Sequence, residues 1–523
     1  MAMSFKLTYA TMFDPPEELH ARFEAALART RAALGARHLL YIDGQDVDAA
    51  GTVEKRSPID GRLLGHFATA DAAQTGSAVE AAHRAWPGWR VTPAAERVRL
   101  SHRVAALIEA RVYEIGAALC LEVGKNRLEA LAEAQEVADF FAGYADDFAA
   151  NGGFDRVLPD DPIKGFRSHN RSVLKPHGVW GVIAPFNFPL ALASGPAAAA
   201  LVTGNTVVVK GASDTPWAAR LLADCIRDAG YPPGVFNVVA GSGAVTGEAL
   251  VGHPLLAGLT FTGSYDVGMS LCRRMVAGAY ARPCIAEMGG KNAVIVTSSA
   301  DLERAATGIV RSAFGLGGQK CSATSRVYVA TEVARALYTR ILEQTQALRI
   351  GDPSERQHWL GPVISAAAVA KYECYAGALG RDGGRILTGG VRLSDGPLAS
   401  GCYVAPTVAT APAEHALFGV EMFLPIVMLA EVGGVEEGVR RANASPLGLT
   451  AGFYGGPAEV RYFLDHIEAG TTYVNRPQGA TTGAWPGYQA FGGWKGSATT
   501  GKAIGSFYYL PQYLREQSQT VVE

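Results

Sequence analysis

Two Ala-rich segments, residues 16–36 and 70–88, intersperse Leu, Glu and Arg so that apolar positions recur with helical spacing, which predicts amphipathic helices. Between them, HLLYIDGQDVDAAGTVEKRSPIDGRLLGHFATA alternates apolar residues with Asp-Gly turns and predicts short strands or hairpins. Residues 93–149 form a long helical region with a break near LEVGKN. From Gly178 the pattern changes. GVWGVIAPFNFP runs into an Ala-rich stretch, NTVVVKG into WAARLLADCIRDAG, and GVFNVVAG into TGEALVGH, with LAGLTFTG after them. Buried parallel strands need continuous apolar runs and their crossovers need helices, so this segment reads as an open α/β sheet with its strand-end loops on the ligand side. A second α/β block spans about 291 to 470, with NAVIV, SRVYVA, RILTGG and LPIVMLAEV as strand candidates. No repeat of 20–50 residues and no low-complexity tail occurs.

At 523 residues the chain has room for two or more domains. Its 47 basic and 49 acidic residues are spread evenly, with a formal charge of -2 and no basic run, so nucleic-acid binding has no electrostatic source. Seven cysteines, an odd number without a C-x-x-C pair, fit reduced thiols in a cytoplasmic setting. Eleven histidines form no metal-ligand spacing. The amino terminus lacks a secretory pattern, and the small-apolar stretch 190–204, interrupted by Gly and Pro, is too short to span a membrane and predicts a buried helix. The bulky, β-branched carboxyl terminus could cover a neighbouring subunit or pack within its own chain.

Three residues are candidates for chemistry. Cys321, in FGLGGQKCSATSRVYV, follows a loop of glycines and a glutamine and precedes a strand; it reads either as a nucleophilic thiolate or as an inert buried cysteine. Glu287, in AEMGGKNAVIV, could be a general base at a domain junction or a salt-bridged carboxylate. Asn187, in APFNFP, could donate to an oxyanion, where losing a donor costs on the order of 3 kcal/mol, or could satisfy a turn. GSGAVTG (241–247) is a weak Rossmann-like stretch, whereas FTGSYDVG places Ser264 and backbone N–H groups at a predicted helix start suited to a pyrophosphate. Lys210, ending the strand TVVVK, could reach a ribose or phosphate or simply solvate the strand end. Glu421 and Phe423, in GVEMFLP, could hold the second ribose and pack near a nicotinamide, or be ordinary surface and core residues.

APFNFP, NTVVVKG, FTGSYDVG, EMGGKNAVIV, GQKCSA, EMFLP and PLGLTAG occur in this order, and together they make the chain resemble the aldehyde dehydrogenase superfamily from about 40 to 500. The resemblance implies an α/β fold with a Rossmann-type cofactor domain, an α/β catalytic domain and a small β oligomerisation element. Its expected bounds are 1–151 with 173–286 for the cofactor domain, 287–472 for the catalytic domain, 473–495 for a substrate-anchoring region, and 152–172 with 496–523 for the oligomerisation element. It makes Cys321 the nucleophile, Glu287 the general base and Asn187 the oxyanion donor. It places Pro185, Lys210, Ser213, Gly263, Ser264, Gly289, Glu421 and Phe423 at NAD, and a homodimer or dimer-built oligomer is expected. The chain departs from the family pattern at Lys210-Gly211-Ala212-Ser213, where Lys-Pro-Ala-Glu is common; the missing carboxylate leaves NADP admissible by removing repulsion of a 2′-phosphate. Phe186 stands where tryptophan is common.

The stretch NRPQGATTGAWPGYQAFGGWKGSATTGK is similar to the anchoring loop of L-glutamate γ-semialdehyde (1-pyrroline-5-carboxylate) dehydrogenases. That likeness assigns the Gly483 and Ala484 amides and the Ser322 hydroxyl to a substrate α-carboxylate, Phe491 to its aliphatic chain and Glu136 to the neighbourhood of its amino group. Trp485-Pro486 and Ala490 depart from the commoner residues of that loop. Succinate semialdehyde and 2,5-dioxopentanoate remain alternative substrates, and a non-catalytic binding protein is the alternative from another class. Glu287 argues against a CoA-acylating relative, which needs no water-activating base.

Overall fold

The strands TVVVK and NAVIV carry β-branched residues at consecutive positions and are buried along their whole length, as strands covered by helices on both faces must be. They belong to two separate sheets of a computed structural model that describes residues 15–412, 414–480, 484 and 487–523. In the first sheet five parallel strands lie in the order Cys284–Glu287, Leu256–Thr262, Val179–Ile183, Thr206–Lys210, Phe236–Val239. The chain begins at the centre, winds outward in one direction and then restarts on the other side, so the crevice between Val179–Ile183 and Leu256–Thr262 is a topological switch point. An antiparallel hairpin, Leu40–Ile42 and Gln45–Val47, completes the sheet beyond Phe236–Val239. Asp43 and Gly44 make its two-residue turn, both left-handed (φ 54° and 79°), as a tight hairpin requires.

The expected helices form at Glu17–Ala32 and Ala72–Trp89; the second starts from a capping box between Asp71 and Gln74. The long helical region divides into Ala94–Ala110, Val112–Val123 and Arg127–Ala150. Its expected break at LEVGKN is made by Gly124 in the left-handed region and by Asn126, which caps the third helix. The stretch read as a buried helix is Ala191–Val202, whose described side chains are nearly all buried.

In the second sheet six parallel strands run in the order Thr407–Thr410, Ile426–Val432, Thr324–Ala330, Asn292–Val296, Thr450–Tyr454, Thr471–Val474, with Arg385–Thr388 antiparallel at the edge. Glu287 is the last residue of the first sheet, so the chain crosses between the sheets at 288–291.

A third, antiparallel sheet joins Asp155–Leu158, Ser168–Pro176 and Leu514–Val522. Its central strand continues to Pro176, beyond the expected boundary at 172, because it pairs along its length with the carboxyl-terminal strand. Just before that strand, Tyr509, Leu510 and Tyr513 are buried in the chain's own core, and the Tyr513 hydroxyl meets Thr260 Oγ1 at 3.1 Å. Among the described residues no helix is long and apolar enough to cross a membrane.

Candidate active site

A cavity of about 740 Å³ opens where the two sheets face each other. From the first sheet its walls are segments at or after strand ends: Pro185–Asn187, Ala212 with Asp214, 262–266 and 288–289. From the second they are segments that precede strands: Cys321, Glu421 with Phe423, and Pro446 with Leu447. Carboxyl ends of one sheet thus oppose amino ends of the other. The switch-point crevice supplies Asn187 from one side and Gly263 with Ser264 from the other.

The segment carrying Cys321 is fixed from several directions. After helix Leu302–Phe314, Leu316, Gly317 and Gly318 take φ of 51°, 61° and 66°, a left-handed run costly for the leucine. A Cβ at Gly318 would stand 2.3 Å from the Leu424 carbonyl, so only glycine lets the loop lie against the backbone beside Phe423. Asn292 Nδ2 donates to the carbonyls of Cys321 (2.6 Å) and Ala323 (2.9 Å), while its Oδ1 accepts the Thr450 N–H at 2.9 Å. Lys320, next to the nucleophile, is paired with Glu129 at 2.6 Å.

Burial, followed by the Glu421 and Glu287 carboxylates, pushes the Cys321 thiol up to about 12, although the Ser322 and Cys321 N–H groups favour the thiolate. At neutral pH Cys321 is therefore a thiol. Glu287 is likewise held well above the usual carboxylate range by burial, and neither of its oxygens has a hydrogen-bond partner. A buried carboxyl without partners favours its protonated form and regains basicity when a proton donor such as water reaches it. Asn187, buried but on the cavity wall, shares that wall with Cys321.

Whether a dinucleotide fits is answered by the backbone. Ser264 caps helix Tyr265–Val276 without spending its side chain on the cap, which leaves N–H groups open toward the cavity. Glu421 Oε1 accepts the Gly290 N–H at 2.9 Å, and a Cβ at Gly289 would stand 1.9 Å from Glu421 Oε2. Phe423, itself left-handed at φ 58°, packs edge-on against Phe186 at 5.8 Å and forms an aromatic wall. Open donors, close glycine-lined backbone and a flat aromatic surface fit a pyrophosphate, a ribose and a planar ring.

Two expected cofactor residues stand elsewhere. Lys210 lines neither this cavity nor the second one described below; its buried Nζ donates to the Gly211 carbonyl at 3.0 Å, and burial lowers its pKa. Ser213 donates to the Gly241 carbonyl at 3.0 Å and lines the second cavity, of about 470 Å³, with Asp71, Gln74 and Ser242. Asp71 thus places an acidic residue on the cavity beside Ser213. Sequence reading missed Lys371, Asp214 and Asp266, all on the main cavity, because charged residues in helices and loops carry no local motif.

Of the expected substrate residues, Gly483 lies outside the described residues. Ser322 is buried and does not line the main cavity. Phe491 is a core residue paired with Ile504 and packed in the same cluster as Ala484. The Ala484 N–H, expected to grip a carboxylate, is donated to Glu136, whose carboxyl is held well above the usual range by burial and by neighbouring Glu133.

The aldehyde dehydrogenase family model matches residues 46–518. A 1-pyrroline-5-carboxylate dehydrogenase of Geobacillus thermodenitrificans is 36% identical over 509 residues, covering 96% of each chain. The crystal structure of 1-pyrroline-5-carboxylate dehydrogenase from Thermus with bound NAD superposes with a TM-score of 0.92 at 33% identity, covering 100% of both chains. That of proline utilization A from Bdellovibrio bacteriovorus gives 0.90 at 32% identity, over 96% of this chain and 51% of that one.

Proposed function

This chain belongs to the aldehyde dehydrogenase family, and from that premise we propose that it oxidises L-glutamate γ-semialdehyde, the open form of 1-pyrroline-5-carboxylate, to L-glutamate with NAD as acceptor. The observation that carries the reading is that Cys321, Asn187 and the open helix start at Ser264 share one cavity. The substrate class follows from the likeness of the 475–502 stretch and from the named relatives.

Cys321 attacks the aldehyde carbon as its thiol proton passes to solvent water, since the resting thiol is protonated. The new S–C bond places an electron pair on the former carbonyl oxygen, where the Asn187 amide and the Cys321 N–H donate to it. A nicotinamide bound beside Phe423 supplies the acceptor for the hydride released when this thiohemiacetal collapses to a thioester. Glu287 then takes a proton from water while the water oxygen attacks the thioester carbon. The Cys321 sulfur leaves, and the acid is released. NAD is the proposed acceptor because the chain superposes along its whole length on a relative solved with bound NAD.

The test is the initial rate of NADH formation with L-glutamate γ-semialdehyde, succinate semialdehyde and propionaldehyde, repeated with NADP. A kcat/KM about tenfold higher for the amino-acid semialdehyde, about 1.4 kcal/mol of discrimination, is expected. Equal or better turnover of succinate semialdehyde refutes the substrate assignment.

The three-stranded sheet leaves Val157, Val521 and Val522 exposed, Val157 at 83%. Apolar side chains in such a place suit a partner subunit, and a homodimer or dimer-built oligomer is the proposed state, measured by sedimentation. Seven unpaired cysteines agree with a reducing, cytoplasmic setting.

A further inference from the structure

Helix Arg127–Ala150 carries glutamates at 129, 133 and 136, positions that share one helical face. Each glutamate holds a different loop near the cavity. Glu129 pairs with Lys320, the residue before the nucleophile, and its other oxygen accepts from Asn126 Nδ2 at 3.1 Å. Glu136 accepts the Ala484 N–H. Glu133, between them, has a side chain 0% exposed and is paired with Lys125, also 0% exposed, at 2.6 Å. Its Oε1 accepts the N–H groups of Leu190 (2.9 Å) and Ala191 (3.1 Å).

Those two N–H groups begin helix Ala191–Val202, whose cap residue, Leu190, has no side chain able to satisfy them. They stand three and four residues after Asn187 on the same turn of chain. The ammonium of Lys125 lies 3.4 Å from the centre of the Phe188 ring, immediately beside Asn187. The segment directly after Asn187 is therefore held twice by one buried ion pair: the carboxylate takes the start of the following helix, and the ammonium rests on the adjoining aromatic ring.

An ion pair removed from water costs as much as it returns, and a well-packed apolar pair often stabilises a fold as well or better. Stability alone does not call for charge here. An apolar pair, however, offers no acceptor for Leu190 and Ala191 and no cation for Phe188. We propose that Glu133, with Lys125, is a positioning residue that fixes Asn187 in the geometry needed to stabilise the oxyanion. The inference rests on the reading of Asn187 as oxyanion donor.

The test uses the full-length enzyme with NAD and an aldehyde substrate, and four variants: Glu133→Leu combined with Lys125→Met, Asn187→Ala, the combination of these three changes, and Glu133→Gln combined with Lys125→Met. The apolar pair is expected to fold, as read by its circular dichroism, and to keep its KM for NAD within twofold, while kcat/KM for the aldehyde falls at least tenfold. In the Asn187→Ala background the same apolar pair should cost less than twofold, because the geometry it disturbs no longer carries a donor. Glu133→Gln combined with Lys125→Met retains an acceptor oxygen without a buried charge and should recover activity to within threefold of wild type. An apolar pair with wild-type kcat/KM, or one whose cost persists undiminished without Asn187, overturns the inference. If Asn187→Ala itself leaves kcat/KM unchanged, the oxyanion reading fails and the inference falls with it, an outcome distinct from an impaired Asn187→Ala variant beside a harmless apolar pair.

Discussion

At the carboxyl end of the first sheet Gly263 and Ser264 line the cavity with no side-chain cap on the helix start, whereas at the amino end of the second the chain surrounds Cys321 with partners. The cofactor wall is made by what is missing: no Cβ at Gly289 and no side-chain cap at Ser264. The nucleophile wall is made by what is present: Asn292 on the Cys321 carbonyl, Glu129 on Lys320 and three left-handed residues before them. A ligand that arrives and leaves needs vacancy and free donors, while a nucleophile that must meet a carbon at bonding distance needs immobility. One cavity therefore combines a permissive half and an over-determined half.

The comparison breaks most sharply at the nucleophile itself. Cys321→Ala should lower kcat by about 10⁴-fold or more while NAD binding, followed by quenching of tryptophan fluorescence, changes little. Parallel loss of both would mean that the two halves are not separable.

The electrostatic difference is next. With the thiol raised to about 12, its thiolate fraction increases with pH through the whole working range. Alkylation of Cys321 by iodoacetamide, read by mass spectrometry, should quicken by about tenfold per pH unit, or about a hundredfold from pH 7 to pH 9. A plateau below pH 8 in the wild type would contradict the burial argument.

Filling the permissive half is a smaller change with a selective signature. Gly289→Ala puts a methyl group against the Glu421 carboxylate, and KM for NAD should rise about tenfold with the alkylation rate of Cys321 unchanged. Loosening the rigid half is the smallest. Asn292→Ala strips the Cys321 and Ala323 carbonyls of a buried donor and should cost about 1–3 kcal/mol of stability in denaturant unfolding, with kcat reduced several-fold and KM for NAD preserved.

Much of this arrangement was legible in the chain because it is local. The Asp-Gly turn at 43–44, the helix break at Gly124 and the cap at Ser264 each follow from residues within one turn of the event. Cys321, Asn187, Glu421 and Phe423 could be singled out because each lies in a short segment of distinctive composition. A lysine ending a strand, such as Lys210, looks the same in sequence whether its ammonium faces a ligand or folds back on the Gly211 carbonyl, as it does here. Ser322 is buried, and adjacency to Cys321 along the chain does not fix which way its side chain points.

Alternation, apolar runs and turn residues by themselves determined two parallel sheets, their helices and the loops that bear the candidate chemistry, since backbone hydrogen bonding and burial act over a few residues at a time. Tertiary structure decided that the carboxyl ends of one sheet face the amino ends of the other. It also joined Glu129 to Lys320 across 191 residues and Glu133 to Leu190 across 57. Such contacts depend on how finished elements pack, and a buried carboxylate reveals its partner only when the surrounding water has been excluded and one geometry remains.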